Sequence, residues 1–317
     1  MTARDVLVAG ETLVDFIPDR PGPLDEVETF TRRAGGAPAN VAVGLARLER
    51  TPWFCTTLAT DPFGRFLAAV LADEGLPDRF VTTTADARTT LAFVSHDADA
   101  DRGFTFYREN GADTYLDTAV VPDETLAAAA YVVVGGVTLT VEPARTATLS
   151  LLERAREHGC TVVFDPNDRP ELWAADVDRV ATLKRALSLS DVVKATDADV
   201  GDLPFVGADV PRSLLAVGPH TVFRTRGPAG ATVRTSERSP WGRAEWFHDG
   251  YDVDPVDTTG AGDAFTAGVV AALVDGSGPT ETLAFANAVA AAAVTGDGAM
   301  TALPDRERVA RLLPSEE

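Results

Sequence analysis

Residues 257–265 read Asp257-Thr258-Thr259-Gly260-Ala261-Gly262-Asp263-Ala264-Phe265. Small residues at Gly260, Ala261 and Gly262 let an anion approach backbone amides closely, and the apolar run that follows predicts a helix whose positive end faces that anion. Asp263 then stands beside the anion, placed to accept a proton from an attacking alcohol. The arrangement suits phosphoryl transfer to a hydroxyl, in which positioning and electrostatics supply most of the acceleration. Taken alone, the same residues also fit a plain glycine-rich strand-to-helix turn with an early-turn carboxylate. Three generic alternatives fall away. No G-x-x-x-x-G-K-[ST] occurs, Phe265 stands where a dinucleotide fingerprint needs a third small residue, and protein-kinase signatures are absent.

Working outward, 317 residues with 45% hydrophobic content can bury a large core; that length fits one α/β domain spanning 1–317, with lid strands inserted at about 11–32 and 88–115. The formal charge is −20, from Asp+Glu 48 against Lys+Arg 28. This acidity argues against nucleic acid or an anionic membrane as partner. Lys184 and Lys194 are the only lysines, and the acidic surplus is spread along the chain. That pattern suggests a salt-loving source, and salt-dependent stability is the expectation. Cys55 and Cys160 sit in apolar runs and read as buried free thiols. His96, His158, His220 and His248 show no ligand spacing. The start of the chain lacks a signal-peptide core and no apolar run reaches the ~20 residues of a membrane helix, so a cytoplasmic protein is expected.

Strands are predicted at 6–9, 13–17, 53–59, 131–134, 161–164 and 191–193, alternating with helices at 38–48, 62–74, 143–158 and 177–189 in the βαβ rhythm of a mainly parallel sheet flanked by helices. Between Thr89 and Tyr107 the rhythm breaks. Two alternating strands at 90–95 and 104–107, joined by an Asp-rich turn at 97–103, predict an antiparallel flap that joins 13–17 in a small β-sheet lid. β-rich structure at 222–225, 231–235 and 244–247 precedes the glycine motif, and helices at 263–274, 280–295 and 305–313 close the chain.

A second glycine signature, Gly35-Gly36-Ala37-Pro38-Ala39-Asn40-Val41-Ala42, lies ~220 residues before the first, and each precedes a helix. With both in this order the chain resembles the ribokinase-like (PfkB) carbohydrate kinases over nearly its full length. The resemblance implies ATP-dependent transfer to a sugar, with Asp263 as general base and Gly260, Ala261 and Gly262 as the anion hole. It implies a sugar site of Asp15, Gly35, Gly36 and Asn40. On the nucleotide side it implies Lys194, Asn287, and Thr225, Gly227 and Gly230 in Thr225-Arg226-Gly227-Pro228-Ala229-Gly230. Where the family often has N-x-x-E for Mg²⁺, this chain has Thr196-Asp197-Ala198-Asp199, so Asp199 is expected to serve through water. Asp257 and Thr259 match positions that bind a monovalent cation in several relatives, which implies K⁺.

Gly10-Glu11-Thr12-Leu13-Val14-Asp15-Phe16-Ile17-Pro18 and Asp61-Pro62-Phe63-Gly64 resemble fructokinases. Phe106-Tyr107-Arg108 and Phe164-Asp165-Pro166-Asn167-Asp168-Arg169 resemble both fructokinases and 2-keto-3-deoxygluconate kinases, in which Arg108 and Arg169, beside Asn167, would meet the acidic end of the substrate. Asp15 suits a polyol better than an acid, and Phe106 replaces a Tyr often found in the keto-acid kinases. The reading therefore favours fructose, with 2-keto-3-deoxygluconate as the alternative and a catalytically silent sugar or nucleotide sensor as the non-enzyme alternative. Exposed strand edges on the flap suggest a homodimer through the lid.

Overall fold

The computed structural model describes residues 5–20, 22–96 and 102–313. In chain order the strands are β1 (Val6–Ala9), β2 (Leu13–Pro18), β3 (Phe30–Gly35), β4 (Trp53–Ala59), β5 (Val81–Thr84), β6 (Leu91–His96), β7 (Arg102–Tyr107), β8 (Tyr131–Gly135), β9 (Thr161–Asp165), β10 (Val192–Ala195), β11 (Thr221–Thr225), β12 (Ala231–Thr235) and β13 (Glu245–His248). The helices are α1 (Ala37–Arg47), α2 (Pro62–Asp73), α3 (Asp123–Ala128), α4 (Ala144–Glu157), α5 (Arg179–Ser188), α6 (Asp197–Val200), α7 (Val210–Val217), α8 (Ala261–Val274), α9 (Pro279–Val294), α10 (Ala299–Ala302) and α11 (Arg306–Ala310).

Nine strands form one sheet in the order β13-β12-β11-β10-β9-β8-β1-β4-β5, parallel from β5 to β11 and antiparallel at β12 and β13. Because strand residues alternate faces, Val6 and Val8 join the core under α1, α2, α8 and α9, while Leu7 and Ala9 join the one under α3, α4, α5 and α7. A sheet covered on both faces explains why its central strands are continuous apolar runs. The chain winds from β1 to β4 and β5 on one side and to β8, β9, β10 and β11 on the other. The crevice at the carboxyl ends of the strands beside such a reversal is where open α/β sheets hold ligands. α8 is apolar nearly all round, with Asp263 and Thr266 its only polar side chains, as suits a buried helix.

The lid is a second sheet of four strands, β3-β2-β6-β7. Three of these were expected; β3 was not, and neither were β5, α3 and α7. Phe30–Gly35 carries Arg32 and Arg33 and pairs along one edge only. β5, Val-Thr-Thr-Thr, is the edge strand of the large sheet. Edge strands with polar faces lack the apolar pattern that identifies buried ones. The Asp-rich turn expected at 97–103 lies mostly outside the described residues, as does the extreme N-terminal segment. Asp61 ties the lid to the main sheet: its Oδ1 caps α2 by accepting from the Gly64 N–H at 2.8 Å and also accepts from Thr89 Oγ1 at 2.7 Å, while Oδ2 accepts from the Thr89 N–H at 2.8 Å.

Candidate active site

A cleft of about 330 Å³ opens at the carboxyl ends of β1, β8, β9 and β10 and is roofed by lid residues Asp15, Phe104 and Phe106. Two helix N-termini enter it. α1 starts at Gly36, whose φ of 103° and whose approach to the Glu11 carbonyl (2.5 Å from where a Cβ would stand) exclude any larger residue. α8 starts at Gly260, with φ 76° and no side-chain cap. The Ala264 N–H makes the first helical bond, to Gly260 at 2.8 Å, so Gly262 and Asp263 stand in the first turn, where N–H groups have no intrahelical partner and attract anions. Lys194 extends from β10 until its Nζ lies over Gly262, 2.8 Å from where a Cβ would be.

Asp263 is half-buried at the floor of the cleft, and Asn40 Nδ2 donates to its Oδ2 at 2.7 Å. Burial is the main cause that raises its pKa to about 6, against the Asn40 hydrogen bond and the charges of Lys194 and Arg169. Asp15 is raised to about 7 by burial and by Asp263. Behind them Lys194 Nζ donates to Asp165 Oδ2 at 3.0 Å, and Thr266 Oγ1 donates to the same oxygen at 3.3 Å. Burial pulls the Lys194 ammonium down, but Asp165, Asp199 and Asp263 outweigh it and its pKa is raised. A cation is therefore held next to the α8 N-terminus.

The structure brings Asp15, Gly36, Asn40, Asn167, Arg169, Lys194, Asp199, Thr259, Gly260, Gly262 and Asp263 to this one cleft. Gly35 stands just behind, where a side chain would overlap the Asp15 carboxylate. Ala261 occupies the first turn of α8. The expected two-arginine clamp does not form at the cleft. Arg108 Nε donates to Asp113 at 2.6 Å, and its Nη1 and Nη2 donate to Thr140 Oγ1 at 2.6 Å and the Val137 carbonyl at 3.3 Å. Arg108 is absent from the lining and Arg169 is present.

Asp199 has its Oδ2 engaged by the Thr196 N–H and hydroxyl, both at 2.7 Å, in a capping box that starts α6. Among the described residues no three His, Cys, Asp or Glu side chains cluster as metal ligands. Asp257 accepts from the Thr259 N–H at 2.7 Å and from the Gly298 N–H at 3.0 Å, fixing the loop that precedes α8. Thr225, Gly227, Gly230 and Asn287 lie away from the cleft lining. Gly230 is required because its backbone meets that of His248–Gly250, and Asn287 Nδ2 donates to Leu283 within α9. Two cleft-side carboxyls, Glu11 and Asp165, were not assigned from sequence. The signal was there: each is an acidic residue at the end of a buried apolar strand, a place where carboxylates seldom sit without a task.

A profile of the pfkB family carbohydrate kinases matches residues 3–306. The chain belongs to this family. It is 36% identical over 328 residues to fructokinase-1 of Oryza sativa subsp. japonica, covering 99% of this chain and 100% of the relative. The fructokinase of Xylella fastidiosa, solved with bound ATP, superposes with a TM-score of 0.84 at 32% identity, covering 97% of each chain. A double-mutant fructokinase of Vibrio cholerae O395, solved with fructose, ADP and a potassium ion, gives 0.85 at 30% identity, covering 98% of this chain and 99% of that one. Among pfkB kinases the present chain thus carries a fructokinase-like sequence along its whole length, with the cleft at the carboxyl ends of its strands.

Proposed function

We propose that this carbohydrate kinase transfers the γ-phosphoryl group of ATP to a hydroxyl of fructose. The observation that carries the reading is Asp263: a carboxylate with its pKa raised to about 6, oriented by Asn40, at the open N-terminus of α8 and facing Asp15 across one cleft. Asp15 accepts a sugar hydroxyl. Asp263 takes the proton of the hydroxyl that reacts, whose oxygen bonds to the γ-phosphorus as the bond to ADP breaks. The amides of Gly260 and Gly262 and the Lys194 ammonium would meet the charge on the transferring group, joined by the Ala261 N–H once it leaves the Thr258 carbonyl, to which it donates at 3.3 Å. ATP would supply that group, with its outer phosphates at the α8 N-terminus and its nucleoside toward Thr225, Gly227, Gly230 and Asn287. Mg²⁺ would ride on phosphate oxygens, with Asp199 reaching it through water. K⁺ would sit by Asp257 and Thr259, next to the anion hole; replacing K⁺ with Na⁺ is expected to lower turnover, and equal rates in the two salts would remove that part of the proposal.

Fructose is favoured over 2-keto-3-deoxygluconate because Glu11, Asp15 and Asp263 together make the cleft hostile to a substrate carboxylate, while Arg108 is engaged elsewhere. A homodimer through the lid is part of the proposal. Phe16 and Phe93 stack at 4.8 Å, with Tyr107 edge-on to Phe93 at 5.5 Å and 63% exposed. A panel of fructose, 2-keto-3-deoxygluconate, ribose, glucose, adenosine and fructose 6-phosphate with Mg-ATP at high KCl tests the substrate. Fructose is expected to give the highest kcat/KM; ADP release with none of them would leave a sensor.

A further inference from the structure

Glu11 has no part in the mechanism above, yet it is 2% exposed and lines the cleft. It lies two residues past β1, after Gly10. Its Oε1 accepts from the Ala37 N–H at 3.2 Å and so caps the first turn of α1. Its Oε2 is buried with no donor among the described residues. Capping needs one oxygen, and a carboxyl oxygen shut away from water without a partner is costly. Arg108 stands close enough to attract the Glu11 charge, but its own donors go to Asp113, Thr140 and Val137. Burial, with Asp113 and Asp263 adding to it, outweighs Arg108 and raises Glu11 to about 7. The second oxygen is therefore a vacant hydrogen-bonding position beside Asp15, on a side chain that α1 already holds rigid.

We propose that Glu11 is a specificity-determining residue of the sugar site, its Oε2 accepting a hydroxyl of the bound sugar other than the one that receives the phosphoryl group. The inference rests on the reading of this cleft as a sugar-kinase site. A site built to pair a substrate hydroxyl rejects the analogue that lacks it, because the buried protein group is then left unpaired. The ligand class is a polyol with hydroxyls on adjacent carbons, and a deoxysugar missing the hydroxyl in question is disfavoured.

The test is a cycle of Glu11→Ala and Glu11→Gln against a series of monodeoxyfructoses, reading kcat/KM, with the melting temperature and the KM for ATP as controls. For one deoxysugar, wild type is expected to lose about 10- to 100-fold, the size of a hydrogen bond to a charged group. Glu11→Ala should lose as much on fructose and nothing further on that deoxysugar. If Glu11→Ala does not fold, Glu11→Gln retains the cap on Ala37 and should narrow the preference for fructose over the same deoxysugar. An identical penalty from either variant on fructose and on every deoxysugar would overturn the proposal and leave Glu11 as a helix cap. Wild type inactive on fructose but active on another member of the panel would sink the fructose reading alone, and the same cycle run on deoxy forms of that sugar would then decide the role of Glu11. Inactivity on all of them would sink both.

Discussion

The same desolvation that prepares Asp263 as a base makes it and Asp15 costly to the fold. A carboxyl whose folded pKa is raised binds its proton more tightly in the native state, so its contribution to stability falls as pH rises from the unfolded value toward the folded one. For Asp15, raised from 3.8 to about 7, that window is the mildly acidic range. Asp15→Asn is therefore expected to raise the melting temperature at pH 8 while lowering kcat/KM for the sugar; a lower melting temperature at pH 8 would show that Asp15 is stabilising in place. Asp263 must be unprotonated to act, so kcat/KM should fall below pH ~6, and that limb should vanish in the residual activity of Asp263→Asn. The glycine motif made Asp263 legible before any coordinates, because its place at a helix start constrains where it points, whereas Asp15 and Asn40 were legible through the family resemblance of the stretches that carry them. Which donors were already engaged was not legible. Arg108 sits five residues before Asp113 on a stretch with no helical or strand period, and the pairing of the two depends on how the lid root folds back.

Among the elements, α1 and α8 set the distance between Asn40 and Asp263, and their contact is tight at Gly44, where a Cβ would lie 2.9 Å from that of Ala267. Gly44→Val is expected to force the helices apart and cost about 1–3 kcal/mol of stability. Misplacement of this order also costs rate, up to about 10²-fold. A loss of kcat with Asp263 chemically intact would locate the effect in helix spacing; unchanged kcat would show that the crossing yields without moving the base. At the lid root, Asp61→Ala removes the cap of α2 together with both bonds from Thr89. It should destabilise by about 1–2 kcal/mol, measured by denaturant unfolding. These helices were readable from apolar periodicity and capping residues, whereas β3 and β5 were not, since an edge strand owes its place to its neighbour's backbone and carries little pattern of its own.

For the molecule as a whole, a formal charge of −20 is carried on a surface where arginines form many of the ion pairs. In dilute buffer that charge repels itself; at molar salt the screening length is ~3 Å and the repulsion is removed. The melting temperature should rise from dilute buffer to molar KCl, and equal values would contradict a fold adapted to salt. Among the described residues no helix is long and apolar enough to cross a membrane. The central claim concerns what the assembled cleft does with a sugar, and the direct measurement is the formation of phosphorylated fructose by the purified chain with Mg-ATP at high KCl, beside Asp263→Asn. Wild type is expected to convert fructose at a rate ~10² to 10⁴ above the variant. Equal rates in the two proteins, or a wild type that phosphorylates another sugar and leaves fructose untouched, would contradict it.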